Sequence, residues 1–171
     1  MATSGGGTTV RLRDYQIEAI DAVHDAWARG AKAPLLVLPT AAGKTIISSE
    51  IMARVFKGSG GRCLFIAHRE ELLTQTMDKV RLVSPMTRVG LVQQKHNELG
   101  REITVASIQT IGHRSKNKLK ALIASGSFRL VIIDEAHHAV GAQYMSVIQA
   151  LREANPDMLL IGESDKKAGD L

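Results

Sequence analysis

The sequence predicts an α/β fold in which helices cover both faces of a parallel sheet. Several short segments are apolar at almost every position, and stretches with apolar residues at helical spacing lie between most of them. Strands of this kind are buried on both faces, and flanking helices are what bury them. Because crossovers between parallel strands are right-handed, these segments predict a doubly wound sheet.

Helices are predicted wherever apolar residues recur at every third or fourth position. The first such stretch places Ile17, Ile20, Val23 and Trp27 on one face, and Gly30 follows it as a residue that ends helices. The same spacing returns later, and a glycine-rich segment or a proline follows three of those later stretches. In chain order, the predicted helices begin at residues 14, 43, 70, 116 and 142.

Strands are predicted where an apolar run is short and is bounded by glycine or polar residues. In chain order, the predicted strands cover residues 35–38, 63–67, 89–92, 103–106, 130–133 and 158–161. Residues 93–100 are polar throughout most of their length, so they predict a surface loop.

Length and composition limit the class of protein. A chain of 171 residues with 44% hydrophobic and 23% charged residues is one ordinary globular domain. No run approaches the ~18 apolar residues of a membrane span, so no membrane partner is expected. Residues 1–9 are rich in glycine, serine and threonine and predict a flexible start without a signal peptide. Cys63 is the single cysteine, so a disulfide framework is excluded and a cytoplasmic protein is expected.

The net charge of +5 and the sequence pI of about 9.6 are compatible with a nucleic-acid partner. Many basic proteins bind no nucleic acid, so this balance is supporting evidence only.

The segment after the first strand has the sequence of a phosphate-binding loop. The turn Pro39-Thr40-Ala41-Ala42-Gly43 leads into a helix that starts with Lys44 and Thr45. Backbone N–H groups of such a loop and the positive end of the helix dipole surround an anion. Lys44 adds a positive charge at the β- and γ-phosphates, and the Thr45 hydroxyl adds a ligand for Mg²⁺. The strict pattern has glycine where Leu38 stands, so an ordinary strand–turn–helix is the alternative.

A second motif lies about ninety residues further on. The strand at residues 130–133 ends in Asp134-Glu135-Ala136-His137-His138. Asp134 is predicted to hold the hydration shell of Mg²⁺, and Glu135 to orient and deprotonate an attacking water. An acidic helix start stabilised by the helix dipole is the alternative interpretation. The two motifs together predict a site for ATP and Mg²⁺.

These residues carry a family resemblance. Asp134-Glu135-Ala136-His137 resembles the DEAH box, and residues 39–45 resemble motif I of superfamily 2 helicases. Leu12-Arg13-Asp14-Tyr15-Gln16 is similar to the adenine-reading segment that precedes motif I. Residues 65–72 resemble motif Ia, and residues 106–110 resemble the next motif that contacts nucleic acid. The order and spacing resemble the branch that contains type III restriction subunits and excision-repair-type DNA helicases.

The resemblance implies a RecA-like P-loop NTPase domain over residues 10–162, between the flexible residues 1–9 and a non-matching tail at residues 163–171. It implies ATP and Mg²⁺ as cofactors, and nucleic acid, DNA more than RNA, as a partner. The implied catalytic residues are Lys44, Asp134, Glu135 and His137. The implied nucleotide-binding residues are Arg13, Gln16, Pro39, Thr40, Ala41, Ala42, Gly43, Lys44 and Thr45, with Thr45 and Asp134 as the Mg²⁺ ligands. The implied nucleic-acid contacts are His68, Arg69, Gln109 and Thr110.

Three of these assignments have open alternatives. Gln16 can pair with both the donor and the acceptor on the edge of adenine, and Arg13 can stack on the base, but an exposed helix start has the same sequence. A solvated loop is the alternative for the nucleic-acid residues near His68. The pair His137-His138 suggests a metal, but adjacent side chains diverge and no ligand spacing accompanies them, so a coupling role for His137 is favoured.

The chain departs from the family after its last predicted strand. The family shows Ser/Thr-Ala-Thr there, whereas this chain has Gly162-Glu163-Ser164 and a hydrophilic tail. A second RecA-like domain, the source of arginine fingers, is also unmatched. We therefore expect a motor half that needs a second RecA-like domain in cis or trans, hydrolyses ATP very slowly alone and cannot unwind duplex. The alternative is a non-catalytic module that binds nucleotide and nucleic acid, or a partner of a helicase.

Overall fold

The computed structural model describes residues 10–39, 43–114, 116–139 and 141–165. The helices are α1 (Asp14–Ala28), α2 (Lys44–Ser59), α3 (Glu70–Val83), α4 (Ile108–Ile111), α5 (Asn117–Ala124) and α6 (Ala142–Ala154). The strands are β1 (Leu35–Val37), β2 (Cys63–Ala67), β3 (Val89–Gln93), β4 (His96–Asn97), β5 (Ile103–Ser107), β6 (Leu130–Ile133) and β7 (Leu159–Ser164). A single 3₁₀ turn covers Ala136–His138.

The strands form one sheet in the order β1-β7-β6-β2-β5-β3-β4. Every neighbouring pair is parallel except β3 and β4, which are antiparallel. Strands β2, β5 and β6 are buried at every position, and their sequences are apolar except for Thr104 and Ser107 of β5. The predicted doubly wound parallel sheet is therefore confirmed for six strands, and the short antiparallel β4 is added at its edge.

Helices cover the sheet on both faces because neighbouring residues of each central strand point to opposite sides. Phe65 and Ile132 pack with residues of α1, α2 and α3 on one face. Leu64 and Val131 pack with residues of α4, α5 and α6 on the other face. Among the described helices, none is long and apolar enough to cross a membrane.

Two sequence predictions need correction. Residues 93–100 were expected to form a loop only, but His96 and Asn97 pair with the end of β3 and make a short hairpin. Both residues of β4 are exposed, so the hairpin carries no apolar alternation that a sequence could show. The last strand was expected to end at residue 161, but β7 continues to Ser164 because Glu163 and Ser164 are buried at 1% and 2% exposure.

Candidate functional site

The predicted phosphate and metal residues lie together at the carboxyl edge of the sheet. Strand β6 ends at Ile133, and β7 lies between β6 and β1, so the segments after β1 and β6 open on the same edge. A cavity of about 820 Å³ there is lined by Gly43, Lys44, Thr45, Asp134 and Glu135, among others. Thr40, Ala41 and Ala42, which the sequence assigns to the same loop, lie outside the described residues.

Gly43 occupies a position that only glycine fits without strain. Its backbone is left-handed, with φ of 71°, and it caps the N-terminus of α2. A Cβ atom at this position would lie 2.8 Å from Nε2 of Gln16 and 3.3 Å from a methyl group of Ile46. Lys44 and Thr45 follow in the first turn of α2, with half-buried side chains that line the cavity. The start of α2, with Gly43 as its N-cap, therefore has the geometry of an anion-binding helix N-terminus.

Gln16 and Arg13 line the same cavity from the start of α1. Gln16 is only 7% exposed, and its Oε1 accepts a hydrogen bond of 2.9 Å from the backbone N–H of Arg13. This bond holds the Gln16 side chain against Gly43. A carbonyl oxygen can accept two hydrogen bonds, so this bond is compatible with a contact between Gln16 and adenine. That contact stays a prediction.

Asp134 has the character of a ligand for a cation. It is 4% exposed, and its Oδ2 is buried without a hydrogen-bond partner among the described residues. Burial raises the pKa of Asp134 and the charge of Glu135 acts in the same direction, while Lys44 opposes them. A nearby cation removes the cost of the buried negative charge. Carboxylate and hydroxyl oxygens suit Mg²⁺, so Asp134 and Thr45 fit the ion that the sequence predicts.

Glu135 is held in an unusual conformation between Asp134 and His137. Its φ is 53°, in the left-handed region that residues other than glycine adopt at some cost. Its Oε2 lies 3.2 Å from Nδ1 of His137, and the same nitrogen lies 3.3 Å from Oγ of Ser164. The carboxylate of Asp165 is also within 4.8 Å of the ligand atoms of Glu135 and His137. His137 therefore joins the acidic motif to the end of β7.

A buried carboxyl group that the sequence does not predict lies between β7 and α2. Glu163 points from β7 towards α2 and accepts a hydrogen bond from Oγ of Ser48. Burial raises the pKa of Glu163 to about 8, and the charge of Asp134 adds to this, while the Ser48 hydrogen bond and the charge of Lys44 oppose it. In the sequence Glu163 follows the apolar residues 158–161 after a single glycine, where it has the character of a polar tail.

The four predicted nucleic-acid residues fall into two groups. Nε2 of Gln109 lies 3.0 Å from Nδ1 of His68, and Oγ1 of Thr110 accepts a hydrogen bond of 3.0 Å from the backbone N–H of Gln94. Arg69 lies elsewhere, on the wall of the large cavity. Its positive charge acts to lower the pKa of Asp134. The structure thus groups His68, Gln109 and Thr110 and places Arg69 with the nucleotide residues.

Comparison with known proteins gives a family match. The model of the family described as type III restriction enzyme, res subunit, matches residues 9–161. The protein IRC3 of Saccharomyces cerevisiae, provisionally named an ATP-dependent helicase, is 31% identical over an alignment of 160 residues that covers 85% of this chain and 22% of that protein. A Schizosaccharomyces pombe protein, provisionally named the mitochondrial ATP-dependent helicase irc3, is 27% identical over 143 residues, 82% of this chain and 23% of that protein.

The Escherichia coli protein named type I restriction enzyme EcoAI endonuclease subunit is 32% identical over 143 residues, 81% of this chain and 17% of that protein. This chain therefore spans less than a quarter of the length of these three relatives.

Solved structures share the fold. The Sulfolobus solfataricus SWI2/SNF2 ATPase core, solved in complex with dsDNA, superposes with a TM-score of 0.71 at 14% identity, covering 94% of this chain and 33% of that one. UvsW from bacteriophage T4 superposes with a TM-score of 0.70 at 21% identity, covering 94% and 31%. At these identities the likeness shows the fold alone, and it confirms the predicted RecA-like architecture.

Proposed function

We propose, since this chain belongs to the family described as type III restriction enzyme, res subunit, that it is the ATP-binding half of a DNA helicase or translocase motor. Its fold is that of the first RecA-like domain of a superfamily 2 helicase. One observation carries the proposal: Lys44, Thr45, Asp134 and Glu135 reach one cavity from two different strands' carboxyl ends. These are the residue types that phosphoanhydride hydrolysis requires.

In this proposal the residues of the phosphate loop bind and orient the nucleotide. Lys44 places a positive charge at the β- and γ-phosphates, and the N–H groups at the start of α2 face the same anion. Thr45 and Asp134 would hold Mg²⁺, which neutralises charge on the phosphates when bound. Arg69 and Arg13 line the cavity and bring further positive charge to a triphosphate.

Glu135 is the proposed general base, and His137 fixes its position. The contact of 3.2 Å between Glu135 and His137 orients the carboxylate that accepts a proton from the attacking water. His137 also contacts Ser164, so a change at the catalytic carboxylate is communicated to the end of β7. This contact supports the coupling role that the DEAH resemblance implies for His137.

The proposed motor needs parts that this chain does not supply alone. Arginine fingers contribute about 10³–10⁵ in rate to related phosphoryl transfers, and the resemblance implies that a second RecA-like domain carries them. The isolated chain is therefore proposed to bind ATP and to hydrolyse it very slowly. DNA as the nucleic acid, the domain limits 10–162 and a cytoplasmic location belong to the same proposal.

A non-catalytic binding module is the second candidate. Glu163, Ser164 and Asp165 stand where the resemblance implies Ser/Thr-Ala-Thr, and this departure favours a domain that binds nucleotide without productive turnover. The complete set of Lys44, Asp134 and Glu135 favours the motor.

Titration of a fluorescent ATP analogue, with and without Mg²⁺, tests the nucleotide site. We expect Lys44→Ala to weaken binding at least tenfold, which corresponds to about 1.4 kcal/mol. Lys57→Ala is the matched control, because Lys57 is exposed in the last turn of the same helix. Equal affinities for wild type and Lys44→Ala would contradict the proposal.

A further inference from the structure

A histidine and two carboxylates meet beside the nucleotide cavity, at the end of β7. One ligand atom from each of Glu135, His137 and Asp165 lies within 4.8 Å of the other two. Glu135 lines the nucleotide cavity, whereas His137 and Asp165 do not. The cluster therefore overlaps the nucleotide site at a single residue.

The backbone brings these three side chains together from two segments. Glu135 has a left-handed φ of 53°, and the 3₁₀ turn Ala136–His138 follows it directly. This change of direction lets Glu135 and His137 meet although one residue separates them, and Oε2 of Glu135 lies 3.2 Å from Nδ1 of His137. Asp165 follows β7, the parallel neighbour of β6. The spacing of residues in the sequence cannot show such a cluster, because its third member belongs to another strand.

The charges of the cluster favour a bound cation. Two carboxylates this close repel each other unless a positive charge lies between them. His137 supplies a positive charge only when it is protonated, whereas a dication supplies it and accepts an electron pair from each of the three side chains. A hydrogen-bonded pair of Glu135 and His137 is the alternative interpretation, but it involves only one of the two carboxylates.

The ligand types and the measured distance suit zinc. Zn²⁺ binds imidazole nitrogen and carboxylate oxygen at about 2.0–2.2 Å and favours a tetrahedral arrangement. Neighbouring ligand atoms of such a tetrahedron are about 3.4 Å apart, close to the 3.2 Å that separates Oε2 of Glu135 from Nδ1 of His137. Asp165 is exposed, so its side chain can rotate to complete the set. Mg²⁺ prefers oxygen ligands alone, which Thr45 and Asp134 offer in the nucleotide site.

A buried hydroxyl group near the cluster is a second, independent observation. Tyr144 is 6% exposed, and its hydroxyl has no hydrogen-bond partner among the described residues. Burial raises the pKa of Tyr144 to about 12, and the charges of Asp134 and Glu135 act in the same direction, so the hydroxyl lies close to this acidic segment. Buried polar groups are rarely left unpaired, and a water in the shell of a bound ion would be a partner for this one.

We propose that Glu135, His137 and Asp165 form a binding site for Zn²⁺, in addition to the Mg²⁺ that the nucleotide site is proposed to hold. Asp165 belongs to the segment that stands in place of Ser/Thr-Ala-Thr, a motif without a carboxylate, so the resemblance does not imply this site. The inference goes beyond the proposed function, because Zn²⁺ is expected to bind without nucleotide. Bound Zn²⁺ engages the carboxylate that the proposed function uses as its base.

Competition with a chromogenic zinc chelator, on the whole chain without nucleotide and with Mg²⁺ in large excess, tests this site. We expect wild type to bind Zn²⁺ in equimolar amount. Replacing a residue that only orients a metal ligand costs about 10–100-fold in affinity, so Asp165→Asn and His137→Ala, which each remove a ligand, should weaken binding at least about tenfold. Asp157→Asn is the matched control, because it makes the same change at an exposed position before β7, and it should bind Zn²⁺ as wild type does.

Equal affinities for wild type and Asp165→Asn would overturn the inference, because the metal would then be held by other groups. Failure of wild type to bind Zn²⁺, or displacement of the zinc by excess Mg²⁺, would overturn it as well. Circular dichroism spectra that match wild type exclude unfolding as the cause of a loss. ATP-analogue binding that still depends on Lys44 would leave the nucleotide site standing in these cases. Zn²⁺ binding that requires Asp165 and His137, with equal ATP-analogue affinities for wild type and Lys44→Ala, would instead overturn the proposed function and support this site.

Discussion

Glu163 should make the stability of this domain fall as pH rises through neutrality, opposite to the usual effect of a paired carboxylate. Its side chain is 1% exposed, and burial raises its pKa to about 8 from an ordinary 4.5. The folded protein therefore keeps a proton that the unfolded chain releases above pH 4.5. Its contribution to stability is fully present below pH 4.5 and is lost as the pH rises towards 8.

The neighbouring serine supports a protonated Glu163. Oγ of Ser48 lies within hydrogen-bond distance of both the carboxyl group of Glu163 and the backbone carbonyl of Lys44, at 2.9 Å in the latter case. A hydroxyl group has one proton to donate. Ser48 donates its proton either to an ionised Glu163 or to the Lys44 carbonyl, but not fully to both. A protonated Glu163 can instead donate to Ser48 while Ser48 donates to the Lys44 carbonyl, so that both contacts are hydrogen bonds.

The magnitude follows from the pKa difference. One pKa unit corresponds to about 1.4 kcal/mol, so Glu163 is expected to lower the free energy of unfolding by roughly 3 kcal/mol between pH 4.5 and pH 7. Glu163→Gln keeps the size of the side chain and its ability to donate to Ser48, but it cannot ionise. The variant should therefore become more stable than wild type as the pH rises, and the difference should grow by roughly 3 kcal/mol from pH 5 to pH 7.5.

Urea unfolding, followed by circular dichroism at half-unit steps of pH, measures this difference. Subtracting the wild-type curve from the variant curve removes the effect of every other ionisable group that the substitution leaves unchanged. Glu18→Gln is the control, because it makes the same change from carboxyl to amide at an exposed position of α1. A flat difference for Glu163→Gln would refute the assignment of a protonated carboxyl group in the folded state.

Two further predictions concern the nucleotide site. Gly43→Ala should destabilise the fold or weaken ATP-analogue binding by roughly 1–2 kcal/mol, because φ is 71° and the new Cβ meets Gln16. Gly58→Ala is the matched control, since Gly58 lies inside α2 with open space around it. This variant should stabilise the protein by about 0.5–1 kcal/mol in urea unfolding. In a phosphate-release assay, steady ATP turnover by the isolated chain should stay far below ~10 s⁻¹, a typical enzyme value. Glu135→Gln should abolish the turnover that remains. Turnover by wild type near ~10 s⁻¹ would show that no second domain is needed.

The strands of the sheet can be predicted from the sequence because a strand that is buried on both faces consists mainly of apolar residues. Every position of β2 and β6 is buried, and each of these strands is an apolar run that can be recognised without knowledge of its neighbours, while β5 is apolar except for Thr104 and Ser107. Gly43 and Lys44 were also predictable from the turn that follows the first apolar run, and Asp134 from its place directly after β6. The positions of these residues in space then follow from the parallel order of the strands.

Other features depend on contacts between distant segments. In the sequence, Glu163 has the character of a polar tail. In the fold, Ser48 of α2 contacts it, and this contact joins segments that are far apart in the chain. Arg69 follows His68 directly, yet it caps α3 and lines the nucleotide cavity while His68 contacts Gln109. Adjacent residues at a strand end point to different sites, and the sequence alone does not show which residue belongs to which site.

The position of β1 at the edge of the sheet has a consequence for the order of assembly. Within the described sheet β1 pairs with β7 only, where Leu35 lies opposite Gly162. During synthesis, β2, β3 and β5 are available to pair while β7 is still to be made, whereas β1 has to wait although it emerges first. Pairings between distant segments form slowly because the intervening chain must first be ordered. The start of α2 is therefore made early in translation, whereas the edge strand that leads to it is paired only after β7 has been made.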